Sequence, residues 1–287
     1  ILIIDGYPLA SRRDLDIAGM KQAWKLFADM AAGYLPRCEC RVWFPSDEPL
    51  APGGFGPAHY DAVIWTGCNL TIYHKDDARV TRQIEFAKEA YRVGTPSFGS
   101  CWGIQMATLA AGGQVKANPR GREMCLARNI YLTDAGQKHP MMLGKPPVYS
   151  AFISHLDEVV RLPKGASLLA CNDFTQVQAL AVTHGKGMFW ATQYHTEYEL
   201  RDMARLIVAR ESKLVPEGFF TGHDDLAQYV GKLEALAHEP ARKDLRWQLA
   251  VGDDVLDDGL RQLEFANWLR YVVLAKAVKA TVGTGRK

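Results

Sequence analysis

No apolar run in this chain approaches the roughly 20 residues that a membrane-spanning helix requires. The late run Val272-Val273-Leu274-Ala275 is broken by Lys276. Charge of one sign is also missing. Lys and Arg number 34 against 32 Asp and Glu, a net charge of +2, so there is no electrostatic reason to expect nucleic acid as a partner. The six cysteines form no Cys-x-x-Cys pair, and no Cys/His spacing suits zinc. Neither a metal nor another cofactor is expected from these patterns. No Gly-x-x-x-x-Gly-Lys-Ser/Thr phosphate loop occurs, nor any internal repeat or low-complexity tract. No signal-peptide pattern is visible. Without a disulfide framework, the cysteines suggest a reducing, cytoplasmic setting. The 287 residues suffice for one large domain, or for one domain with an extension.

What is present centres on Gly99-Ser100-Cys101-Trp102-Gly103. Residues 95–98 read as a strand before it, and residues 104–111 as a helix after it, closed by Gly112-Gly113. A strand feeding a helix through Gly-x-Cys-x-Gly is a nucleophile elbow. Such a turn lifts the sulfur out of the sheet and sets it at a helix N-terminus, where the dipole favours thiolate. A buried, inert cysteine between two packing glycines is the bland alternative.

A second segment, Gln193-Tyr194-His195-Thr196-Glu197, follows the apolar strand signal Met188-Phe189-Trp190-Ala191. A cysteine nucleophile needs a base, and the base needs an orienting acceptor. Cys101, His195 and Glu197 supply all three roles. A lone histidine at a strand end is usually just a satisfied side chain, but the two segments together are hard to reach by accident.

Gly-x-Cys-x-Gly-x-Gln over residues 99–105, with His195-Thr196-Glu197, resembles a class I (triad) glutamine amidotransferase. The likeness is greatest to the amidotransferase part of GMP synthase and its stand-alone relatives, and it covers about residues 1–212. The resemblance implies a thioester mechanism on glutamine or another γ-glutamyl substrate, with an oxyanion hole formed by Trp102 and the Gly67–Cys68 turn. It also implies substrate contacts from Gln105 and from Ser154 and His155 of Ser154-His155-Leu156-Asp157. Two departures stand out. The family has two glycines and a proline where this chain has Gly67-Cys68-Asn69, and Thr196 replaces the usual proline. The first puts the geometry of the oxyanion donor in doubt.

Strand-like and helix-like segments alternate through the first hundred residues, from residues 1–4 through 40–44, 60–65 and 77–93 to the elbow. Ile17, Met20, Trp24, Phe27 and Met30 share one helical period. The expected fold is α/β: a mainly parallel open sheet with helices on both faces, plus a C-terminal helical extension. In such sheets, sites form beyond the carboxyl ends of the strands. Residues 66–69, the elbow and His195 all follow strand-like runs. Short strands over 126–132, 148–153, 166–171, 178–183 and 188–192 suggest antiparallel hairpins at the sheet edge, and residues 198–211 a closing helix. After Pro216-Glu217-Gly218 the composition shifts. Helices are expected over 224–238, 242–251 and 255–280, with one apolar face within 263–278, and residues 283–287 as a frayed end. The expected division is therefore 1–212 for the amidotransferase domain and 213–287 for the extension.

Two classes of function remain at this point. The first is an enzyme that cleaves a γ-glutamyl amide through a Cys101 thioester. It would be either a glutaminase subunit supplying ammonia to an acceptor or a γ-glutamyl peptide or amide hydrolase. A separate synthetase subunit is a candidate partner, and a second copy of the chain, through the C-terminal helices, is another. The second class is a non-catalytic binding or regulatory protein on the same fold. The intact Cys101–His195–Glu197 set argues against it, and the altered Gly67-Cys68 turn argues mildly for it.

Overall fold

The apolar run at the start of the chain becomes the first strand, and its alternation sets up both faces of the sheet. A computed structural model describes residues 1–74 and 76–276 of the chain. Eleven strands are found among the described residues: β1 (Leu2–Ile4), β2 (Arg41–Trp43), β3 (Val63–Trp65), β4 (Ser97–Ser100), β5 (Gln114–Ala117), β6 (Glu123–Leu132), β7 (Val148–His155), β8 (Asp157–Arg161), β9 (Ala166–Cys171), β10 (Ala179–His184) and β11 (Gly187–Thr192). The helices are α1 (Leu9–Ile17), α2 (Ala23–Tyr34), α3 (Ala78–Val93), α4 (Trp102–Ala110), α5 (Asp134–Lys138), α6 (Leu200–Ala209), α7 (Glu211–Leu214), α8 (His223–His238), α9 (Lys243–Leu249), α10 (Asp253–Leu256), α11 (Asp258–Arg261) and α12 (Leu263–Trp268), followed by a π-helical turn (Leu269–Leu274).

One nine-stranded sheet runs in the order β2-β1-β3-β4-β11-β10-β9-β6-β7, with β5 and β8 forming a separate pair. The strands from β2 to β11 pair in parallel, and those from β11 to β7 antiparallel. The expected α/β architecture is therefore present, with the antiparallel hairpins making up half of the sheet. Leu2, Ile4, Val63 and Trp65 face α3 and α4, whereas Ile3, Ile64 and Phe98 face α2 and α12. Period-two alternation with both faces apolar is what a parallel sheet buried between helices demands.

The expected helix spanning Ile17 to Met30 is two helices. Gly19 adopts φ +79° between them, its N–H bonds to the Asp16 carbonyl, and Ile17 is left exposed. A periodicity count cannot register a left-handed glycine that ends one helix and redirects the chain. Likewise the long helix expected from Val255 is broken into α10, α11 and α12. Asp257 caps α11 by accepting from the Leu260 N–H at 3.0 Å. Residues 277–280 of that expected helix, and the frayed end expected over 283–287, lie outside the described residues.

The C-terminal helices are not a loose appendage. Phe265 and Trp268 of α12 are fully buried against Phe98 of β4, with ring centroids 5.4 and 5.6 Å away. Glu264 is buried as well. It pairs with Lys145 at 3.0 Å and accepts a hydrogen bond from Tyr194, the neighbour of His195. Helix α8 packs on α6 through Leu226, Val230, Leu233 and Leu236. Phe265→Ala is therefore expected to destabilise the whole protein by about 3–5 kcal/mol, the usual range for a buried aromatic. Urea unfolding should show one transition at lower denaturant. A separate, early transition of the helices alone would show that they form an independent unit.

Candidate active site

Cys101 stands between the end of β4 and the start of α4, with φ 52° and ψ −93°. A non-glycine residue in that region is strained by about 1–3 kcal/mol, and such strain concentrates at functional turns. Its N–H is tied to the Thr192 carbonyl of β11 at 2.8 Å. The strand runs later than expected, to Ser100, and the helix begins earlier, at Trp102. The thiol therefore sits directly at the helix N-terminus.

The flanking glycines are needed for closeness, not for unusual dihedrals. A Cβ on Gly99 would come within 2.7 Å of the Gly103 Cα and 2.9 Å of the Trp65 Cβ. On Gly103 it would come within 3.2 Å of the Trp65 carbonyl oxygen. The elbow packs directly on β3, and larger residues would push the strand and helix apart.

His195 follows β11, and its N–H bonds to the Phe152 carbonyl of β7 at 2.8 Å. Its Nδ1 lies 2.7 Å from Glu197 Oε1. The Ser100 hydroxyl donates to the same oxygen at 2.8 Å. A carboxylate oxygen accepts, so the proton is on Nδ1 and Nε2 is the edge left for chemistry. The Cys101 thiol lies close enough to the imidazole to act on its charge. Tyr198 stacks on the ring at 3.9 Å and 4°. Burial opposes the charged imidazolium, but Glu197 and then Cys101 outweigh it and raise the His195 pKa to about 9. Glu197 Oε2 is buried without a protein partner among the described residues.

The turn after β3 passes beneath this ring. A Cβ on Gly67 would lie 2.9 Å from His195 Cε1, so only glycine fits. The Thr66 hydroxyl donates to the Gly67 carbonyl at 2.7 Å. The C=O and N–H of a planar trans peptide point in opposite directions, so the Cys68 N–H is held pointing away from Thr66. The Trp102 N–H belongs to the first turn of α4, whose donors have no intrahelical acceptor. Trp102 thus presents a backbone donor at the elbow, and the Gly67–Cys68 turn lies against His195. Cys68 itself is inert: burial pushes its thiol far above the usual range, and its sulfur accepts from the Leu70 N–H at 3.3 Å.

The remaining candidates divide. Ser154 is in the site: its carbonyl oxygen accepts from the Cys101 thiol at 3.7 Å. His155, the next residue on β7, is turned the other way. Its Nδ1 meets the Asp157 carbonyl at 2.9 Å and its Nε2 meets Glu123 at 3.1 Å. Glu123 belongs to a buried network that also holds Asn172, Thr175 and Gln178. Gln105 is buried too, donating to the Asp157 carbonyl at 3.4 Å, and its Oε1 has no protein partner. Two residues went unnoticed in the sequence. Tyr7, after β1, and Arg210, after α6, approach Ser154 and the thiol from distant parts of the chain. No local motif marks either.

Among the described residues, no group of three His, Cys, Asp or Glu side chains could hold a metal ion. No described helix is long and apolar enough to cross a membrane.

The chain is 34% identical over 284 residues to a γ-glutamyl-L-1-hydroxyisopropylamide hydrolase from a Pseudomonas species, covering 96% of this chain and 94% of that protein. It is 27% identical over 159 residues to the glutamine-hydrolysing GMP synthase of Symbiobacterium thermophilum, covering 55% of this chain but only 28% of that longer protein. The crystal structure of a glutamine amidotransferase from Thermotoga maritima superposes with a TM-score of 0.62 over 86% of this chain and 93% of that one; at 18% identity it speaks for the fold alone. Residues 60–213, which hold the Gly67 turn, the elbow and His195–Glu197, match the family model for glutamine amidotransferase class-I, and the chain belongs to that family.

Proposed function

We propose that the chain hydrolyses the γ-amide of a small γ-glutamyl compound, with Cys101 as nucleophile, His195 as acid and base, and Glu197 as orienting acid. The observation that carries this reading is the Cys101 thiol at a strained strand–helix turn beside an imidazole that Glu197 orients at 2.7 Å. The Cys101 sulfur attacks the γ-carbonyl carbon. Negative charge gathers on the carbonyl oxygen, where the Trp102 and Cys68 N–H groups are the assigned donors. The His195 imidazolium protonates the departing nitrogen as the carbon–nitrogen bond breaks. Neutral His195 then takes a proton from water, which cleaves the thioester and releases glutamate.

The leaving group is assigned as a small alkylamine. Support comes from the Pseudomonas hydrolase, which matches almost end to end. All the assigned chemistry lies within residues 1–212. The helices from 213 onward are given a supporting role, since Phe265, Trp268 and Glu264 back the central strands. The GMP synthase match favours a second reading, in which the chain is a glutaminase that passes ammonia to a synthetase subunit.

A panel of L-glutamine, γ-glutamyl alkylamides and γ-glutamyl dipeptides separates the two. The isolated chain should release amine from the alkylamides with a higher kcat/KM than it releases ammonia from glutamine. Turnover confined to glutamine, and fast only with a synthetase added, would move the assignment to the second reading.

A further inference from the structure

We infer that Arg210 is the anchor for the α-carboxylate of the γ-glutamyl substrate, an assignment that rests on the γ-glutamyl chemistry proposed above. Arg210 sits at the junction of α6 and α7. Its N–H bonds to the carbonyls of Leu206 and Ile207, each at 3.1 Å. The side chain turns inward. Nη1 donates to the Ser154 hydroxyl, and Nη2 to the Tyr7 hydroxyl at 3.3 Å.

Both of those partners are neutral. Among the described residues Arg210 forms no ion pair, and Glu217, the acid that feels its charge, is held in a forked pair by Arg122 at 2.7 and 3.0 Å. A partly buried guanidinium served only by hydroxyls is uncompensated charge, which proteins keep where an anion will meet it. The guanidinium offers five donors in a planar fork that matches a carboxylate. Two protein hydroxyls leave most of that fork unused.

Its position suits the substrate. Ser154 touches both ends of the arrangement: its carbonyl oxygen meets the Cys101 thiol, and its hydroxyl meets Arg210. In a γ-glutamyl group, four carbon–carbon bonds separate the reacting carbonyl carbon from the α-carboxylate carbon, roughly 5 Å when extended. The phenol of Tyr7 is buried and held neutral, so having accepted from Arg210 it keeps a proton to donate to the same carboxylate. Ser154 thereby acts as the support that aims the guanidinium, its own proton directed to Met124 Sδ at 3.1 Å.

Two thiol reagents test this without relying on turnover. 6-Diazo-5-oxo-L-norleucine carries the α-carboxylate, and iodoacetamide does not. In Arg210→Gln, Cys101 labelling by the first should slow on the order of 10- to 100-fold, the loss expected for hydrogen bonds to a charged group. Labelling by iodoacetamide should slow far less, by no more than the loss of one nearby positive charge brings. Arg210→Lys should recover part of the rate, because it restores the charge but not the fork. In turnover, KM for L-glutamine should rise more than kcat falls, whereas 4-aminobutanamide, which lacks the carboxylate, should be handled alike by wild type and variant. Equal slowing with both reagents, or slowing with neither, would overturn the anchor alone. A wild type that neither cleaves γ-glutamyl amides nor is labelled by the norleucine reagent would overturn the proposed reaction, and the anchor with it.

Discussion

Replacing Cys101 by alanine is expected to remove all γ-glutamyl amide hydrolysis while leaving the fold in place. Loss of a nucleophile that works as one unit with its base costs on the order of 10⁶-fold in rate. The side chain is small and stands at a strained turn, so truncation leaves little cavity, and alanine at φ 52° is no worse off than cysteine there. Three of the other five thiols are poor competitors. Burial raises Cys40 and Cys125 to about 11 and Cys68 further still, so these are poor sources of thiolate at neutral pH. Labelling by 6-diazo-5-oxo-L-norleucine should therefore fall on Cys101 alone. Mass spectrometry of the labelled wild type and of Cys101→Ala checks both statements. Retained turnover, or unchanged labelling of the alanine variant, would remove Cys101 from the mechanism.

How far the sequence announced this site depends on how far apart its parts lie. The elbow and His195-Thr196-Glu197 are contiguous segments with the residue types that their chemistry needs, so they could be read directly. Even there the physical reason changed. Gly99 and Gly103 serve close packing on Trp65 rather than a special backbone conformation. At the altered Gly67-Cys68 turn, the peptide is fixed by the Thr66 hydroxyl holding the Gly67 carbonyl. Arg210 and Tyr7 are 203 residues apart and meet only through the tertiary fold, so no pattern could pair them.

The same distinction applies to the fold. Strand β9 was legible to the residue because its mostly apolar six residues, interrupted by Ser167, lie between Pro163-Lys164-Gly165 and the polar Asn172-Asp173. The β5–β8 pair was missed, since β5 has just one buried residue, Val115, and borrows its order from its partner. An apolar face within residues 263–278 was visible, but not that it would close over Phe98. Periodicity reports that a face exists and is silent about what it covers.

His195 carries the second large effect. His195→Ala should lower turnover on the order of 10²–10⁴-fold, the worth of a positioned acid–base group. Glu197→Gln should retain more activity, since the imidazole stays in place between Phe152 and Tyr198. Its effect is read in pH. In the wild type, protonation of the leaving nitrogen requires imidazolium, so this step should weaken as pH rises through about 9. Glu197 is the first of the groups that hold His195 up against burial. With that carboxylate gone, burial dominates and the pKa falls, so the alkaline limb must move to lower pH. Single-turnover acylation across roughly pH 6–10, which brackets the ordinary histidine value and the raised one, would show it. An alkaline limb in Glu197→Gln that coincides with the wild type would mean that Glu197 does not set the charge of His195. A limb shifted upward would contradict the sign of the argument outright.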